Sequence, residues 1–167
     1  MTRQSGLCLT AIDEAADRYG LPRPLMTAIS RVETGRPMPV TGERQPWPWT
    51  VNADGESLFF DSRAAAVAET MRRLAHGAHF VDVGCMQVDL RLHGTAFPSL
   101  IAAFNPQANT DYAARLLLSL RGGARGWAGA AGSYHSGTPA LADPYRAAVG
   151  HMAGTQRDTM ARAIPGS

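Results

Sequence analysis

The chain has 167 residues, 45% of them apolar and 18% charged, the balance of a globular protein long enough to bury a core in one domain. Its net charge of +2 comes from 16 Arg and no Lys, and the Arg residues are scattered rather than clustered, which argues against a nucleic-acid partner. No run of 18 apolar residues is present, so no membrane-spanning helix is expected.

The opening passage MTRQSGLCLTAIDEAADRYG lacks the continuous apolar centre of a signal peptide, so the chain reads as cytoplasmic or as a mature form that begins after a leader. Residues 7–19 place Leu9, Ile12, Ala16 and Tyr19 at helical spacing, and Gly20 closes that helix. A second helix restarts with Pro24 near its first turn and ends at Gly35. The Pro-rich, polar residues 36–48 read as loop. Asp54-Gly55, between the β-formers of 49–52 and 58–60, signals a hairpin insert over about 46–60. A helix capped by Asp61 or Ser62 then runs to Gly77. After the tight passage VDVGCMQVDL come helices near 98–104, 109–121, 126–135 and 144–162, with Asn109 capping the second of these and Gly122 ending it. There is no internal repeat, and only the last few residues are expected to fray. The predicted fold is mainly α: one domain over residues 1–167 that carries a small β-hairpin insert.

One residue is out of place. Glu33 stands beside the apolar Ile29 and Val32 and just before Gly35, at a helix end where the macrodipole is already negative. Burial against apolar neighbours and that negative potential both favour the protonated carboxyl. A poor location for an anion is a suitable one for a general acid, and cleavage of a glycosidic bond needs such a proton donor for the leaving oxygen. Taken alone, the segment is explained equally well by a solvated Glu at a frayed helix end. His76, His79, His93 and His151 have no metal-ligand spacing, so no metal and no cofactor are expected. Cys8 and Cys85 are either two buried free thiols or a disulfide that closes a loop of about 77 residues. Trp47 and Trp49 are suited to stacking on sugar rings or to packing the insert onto the helices.

Five segments, taken in order, resemble the lysozyme-like lytic transglycosylases, the soluble-lytic-transglycosylase type of domain. AISRVETGR matches the family's catalytic Glu at a helix end, usually followed by Ser and here by Thr34. VGCMQV at 83–88 is similar to the family's Gly-Leu-Met-Gln, with Cys85 in place of Leu. NTDYAARLLLSL is similar to a family helix that begins at Asn. AGSYHSG at 131–137 stands at the place of Ala-Tyr-Asn, with Ser133 and His135 as departures, and DPYRAAV supplies the terminal Tyr145. The likeness covers about residues 7–150. PWPWTVN and YHSG are most similar to the shorter, accessory transglycosylases that accompany secretion systems or flagella.

The resemblance implies a lysozyme-like helical domain and a peptidoglycan lytic transglycosylase that cleaves the MurNAc–GlcNAc β-1,4 bond and leaves 1,6-anhydromuramic ends. In that reading Glu33 is the sole catalytic acid and base. Met86, Gln87, Tyr134, His135 and Tyr145 bind substrate, with Tyr134 beside Glu33 as its hydrogen-bond partner and Tyr145 closing the groove. Asp82, Asp89, Glu43 and Asp54 are the other acids near these segments, and none lies in a motif that the family uses for a second acid. The implied location is the periplasm, with the signal peptide outside this sequence, and Cys8 and Cys85 are then expected to be bonded. The implied partners are glycan strands and secretion-system or flagellar components. A hydrolytic muramidase on the same fold and a non-catalytic glycan-binding assembly module are the alternatives.

Overall fold

The computed structural model describes residues 3–38, 42–123 and 126–163. Eight helices lie among the described residues: α1 (Arg3–Tyr19), α2 (Arg23–Thr34), α3 (Arg63–Ala75), α4 (Leu90–His93), α5 (Leu100–Ala103), α6 (Pro106–Gly123), α7 (Gly126–His135) and α8 (Pro139–Ala163). The strands are β1 (Arg36–Pro37), β2 (Arg44–Gln45), β3 (Thr50–Ala53), β4 (Glu56–Phe59), β5 (Val81–Val83) and β6 (Val88–Asp89). The architecture is mainly α with a small antiparallel sheet, as the periodicity predicts.

Local chemistry sets most of the helix ends. Gly20 takes the left-handed φ of 65° that ends α1. The Ser62 hydroxyl accepts the Ala65 N–H and caps α3. The cap of α6 is Asn105, whose side chain accepts the Ala108 N–H, with Pro106 as the first helical residue. Asn109, expected as that cap, instead lies inside α6 with a fully buried side chain. The last helix also starts earlier than 144, at Pro139, and runs through Pro144. Proline at the first position needs no N–H, whereas Pro144 leaves one carbonyl of the preceding turn without its usual donor. The frayed end expected after that helix falls on residues 164–167, outside the described residues.

The sheet is larger than the expected hairpin. β3 and β4 form that hairpin around Asp54-Gly55, and β5 and β6, cut from VDVGCMQVDL, extend it to the order β4-β3-β5-β6. Strand alternation divides the residues of this sheet. Val51, Ala53, Val81, Val83 and Val88 are buried in the core, while Ser57, Asn52, Asp82 and Asp89 form one cross-strand row on the opposite face. The passage read as loop at 36–48 contains a second ribbon, β1 paired with β2, and residues 39–41 of it lie outside the described residues. The end of α2 and that ribbon together explain Gly35: a Cβ there would come within 2.2 Å of the Arg31 carbonyl and 2.8 Å of the Arg44 side chain.

One apolar cluster joins the two parts, running from Ile12 and Ile29 through Met86 and Phe104 to Val149. α2 packs against α1 and α8, α6 against α1 and α7, and α3 lies on β3 and β5. Cys8 of α1 is bonded to Cys85 in the β5–β6 turn, which ties the first helix to the sheet.

Candidate functional site

The β5–β6 turn, residues 84–87, is held from several sides. Gly84 has φ of 80° and lies so close to Asn109 that an added Cβ would stand 2.5 Å from its amide nitrogen. Asn109 Nδ2 donates to the Val83 and Ala103 carbonyls, and its Oδ1 accepts the Met86 N–H at 2.8 Å. From α2 the Ser30 hydroxyl donates to the Cys85 carbonyl at 2.6 Å, and from α7 the Tyr134 hydroxyl donates to the Met86 carbonyl at 2.7 Å. Each of these groups is a polar atom satisfied at the joint between helices and sheet.

Against this joint ends α2. Thr34, the last residue of the helix, is buried; its hydroxyl donates to the Ser30 carbonyl at 2.8 Å and accepts the Trp47 N–H at 3.2 Å. Glu33, one residue earlier, is partly open to solvent yet closely surrounded. Its carboxyl is pushed up to about 7 by burial, against a lowering from the Tyr145 hydroxyl, and the negative charge of Asp82 adds a lesser rise. The sequence argument weighted the helix end as well as burial; burial is the largest cause here.

The structure brings the aromatic candidates to Glu33 in a different arrangement from the one expected. Tyr134 lies within electrostatic range of Glu33, but its hydroxyl is engaged by Met86. The hydroxyl that couples to the Glu33 carboxyl belongs to Tyr145, on α8. Tyr145 is 8% exposed, and its hydroxyl points to the Glu33 carboxyl, where a hydrogen bond between them favours the ionised acid. Both tyrosines are raised well above the usual phenol range, chiefly by burial, and stay neutral donors. His135 is exposed and lies flat on Tyr145, with ring centroids 4.5 Å apart and planes within 2°.

Two other expected binding residues are internal. The Met86 side chain is completely buried, so it fills the core and cannot touch a ligand. Gln87 is 7% exposed, sits at φ of 48°, and spends its amide N–H donors on the Thr50 and Gly84 carbonyls. Through those two bonds it braces the turn. Trp47 likewise packs: it is 5% exposed, donates its indole N–H to the Phe60 carbonyl, and carries the Arg36 guanidinium on its ring.

Sequence reasoning missed Asp82. It projects from β5 on the row opposite the buried valines, its carboxyl makes no hydrogen bond or ion pair among the described residues, and it is electrostatically coupled to Glu33 and Tyr134. Burial first, then the Asp89 charge, push it up to about 7. The signal was the Val-Asp-Val alternation, legible only once 81–83 is read as a strand. A separate cavity of about 260 Å³ between α2, α7 and α8 is apolar; its one charged residue, Arg146, pairs with Asp143. No group of metal-ligating side chains occurs among the described residues. No protein-family model matches the chain, and neither a curated protein nor a solved structure matches it.

Proposed function

We propose that this protein is a peptidoglycan lytic transglycosylase that uses Glu33 as its acid and then its base. The reading rests above all on Glu33, a partly exposed residue at the end of α2 whose carboxyl burial pushes up to about 7, within the range of a proton donor near neutral pH. Protonated Glu33 donates to the glycosidic oxygen as the C1–O bond breaks, and the sugar's own acetamido group shares the positive charge at C1. The Glu33 carboxylate then takes the proton of the C6 hydroxyl, whose oxygen closes on C1. The 1,6-anhydro ring forms, no water is consumed, and Glu33 ends protonated as it began.

The neutral Tyr145 hydroxyl supports this cycle by steadying the Glu33 anion between the two steps. The Cys8–Cys85 bond supports a periplasmic setting, where disulfides persist. Secretion-system or flagellar components remain the proposed partners, on the sequence likeness alone.

Asp82 favours a second reading, hydrolysis, because a second carboxylate near the acid is what activation of water requires. Mass spectrometry of products from isolated peptidoglycan decides between them. Anhydromuramic ends support the transglycosylase, reducing ends the muramidase, and undigested glycan refutes both.

A further inference from the structure

We propose that His135 is a positioning residue: its imidazole, stacked on the Tyr145 ring, holds that ring in the orientation that carries its hydroxyl to Glu33. The proposal deepens the reading above and rests on it for the role of Glu33. Three observations carry it. The first is the contact itself. His135 is the last residue of α7 and Tyr145 lies on α8, yet their rings stack with centroids 4.5 Å apart and planes within 2°. Among the described residues no other ring lies on Tyr145. The second is the close approach of the two helices. Gly132 stands one turn before His135, and an added Cβ there would be 3.3 Å from the carbonyl oxygen of Ala142, one turn before Tyr145. The third is that α8 restrains Tyr145 weakly at this point. Pro144 directly precedes it, brings no N–H, and leaves the Ala140 carbonyl without its usual donor. The turn that carries Tyr145 therefore lacks one of its helical bonds, and the direction of the ring depends on what stands against it from α7.

His135 has no competing engagement. It is exposed, and its ring nitrogens make no hydrogen bond or ion pair among the described residues. An exposed ring adds little to stability through its own burial, so its effect falls on the ring beneath it. The Tyr145 hydroxyl hydrogen-bonds the Glu33 carboxyl and favours the ionised acid. Rotation of the phenol ring out of the stack would swing that hydroxyl away, and the imidazole blocks the rotation on one face. Stacking uses the face of a ring and not its nitrogens, so any flat aromatic ring at position 135 would serve.

The test compares two variants of the full chain: His135→Ala, which removes the ring, and His135→Phe, which keeps a stacking face and removes the nitrogens. With soluble peptidoglycan fragments as substrate, His135→Ala should lower kcat by about three- to tenfold with KM nearly unchanged, and His135→Phe should recover most of that loss. In a Tyr145→Phe background, which has no hydroxyl to aim, His135→Ala should cost almost nothing further. Equal losses in the two variants, or fully additive losses in the double variant, overturn the proposal. So does a rise in KM with kcat unchanged, which would mark His135 as a direct contact to glycan. Titration of the Glu33 carboxyl by carbon NMR reads the same contact without catalysis. Loss of the hydrogen bond from Tyr145 moves the Glu33 pKa upward, so His135→Ala and Tyr145→Phe should shift it together. His135→Phe, which lacks the imidazole charge as His135→Ala does, should leave it in place. Asp82 from β5 and Tyr134 from α7, the other groups that act on this carboxyl, are the same in every variant. An unshifted titration in His135→Ala overturns the clamp whether or not the chain is active. If the wild-type chain cleaves no glycan while the titrations follow this pattern, the clamp stands and the enzymatic reading falls.

Discussion

At the scale of single residues, Glu33 makes a prediction that separates it from an ordinary surface acid. Its carboxyl is raised from 4.5 to about 7, so between those values the folded chain binds a proton that the unfolded chain has released. Stability therefore falls as pH rises through that window, and the cost is complete above pH 7. Glu33→Gln removes the cost. The variant should lose nearly all activity yet melt higher than wild type at alkaline pH, by on the order of 2 kcal/mol in a partly open site, with the gap closing toward about pH 4. Melting curves that are parallel at all pH values would contradict the buried acid. The wild-type rate should correspondingly drop above about pH 7, because the proton donor is then ionised.

The two tyrosines should respond differently to loss of their hydroxyls. Tyr145→Phe removes the group that couples to Glu33, with an expected rate loss of about tenfold or more and little change in melting. Tyr134→Phe orphans the Met86 carbonyl at the joint, so its main effect should be about 1 kcal/mol of stability. Equal kinetic penalties in the two variants would refute the division of roles.

At the scale of elements, the β5–β6 turn decides how the helices and the sheet meet. Asn109 alone supplies three buried hydrogen bonds to it, to Val83, Met86 and Ala103. Asn109→Ala leaves those backbone groups without partners inside the core and should cost about 3 kcal/mol or more, read by denaturant unfolding. Gly84→Ala should be comparably damaging for a different reason. Its φ of 80° disfavours any side chain, and the new Cβ would overlap the Asn109 amide. A Gly84→Ala chain as stable as wild type would show that the turn can relax, and with it the placement of Tyr134.

At the scale of the whole molecule, the Cys8–Cys85 bond spans 77 positions and links α1 to that same turn. Closing a loop of that length is worth about 4 kcal/mol in the chain-entropy account. A Cys8→Ala/Cys85→Ala chain, or the reduced protein, should melt several degrees lower. An unchanged melting temperature on reduction would mean the core alone sets stability.

Much of this molecule was legible in the order of its residues. Helical spacing and turn glycines determine α1, α2, α3 and α7, since those signals are local and no distant partner has to choose among alternatives. Glu33 was legible for the same reason: an acid against Ile29 and Val32 at a helix end is anomalous in one dimension. What the sequence could not determine is who stands beside whom. β5 and β6 are two or three residues each and exist only because β3 pairs with them, so Asp82 had no recognisable direction until the sheet formed. Gln87, Met86 and Tyr134 carry side chains suited to ligand or core, and only packing spent them inside the joint. Tyr145 was named from the sequence as the residue that closes the groove, but α8 had to return against α2 before its hydroxyl could meet Glu33. Spacing along the chain fixes periodicity and local ends. Which hydroxyl meets which carboxyl depends on contacts between residues a hundred positions apart, and those are set by burial of the shared core.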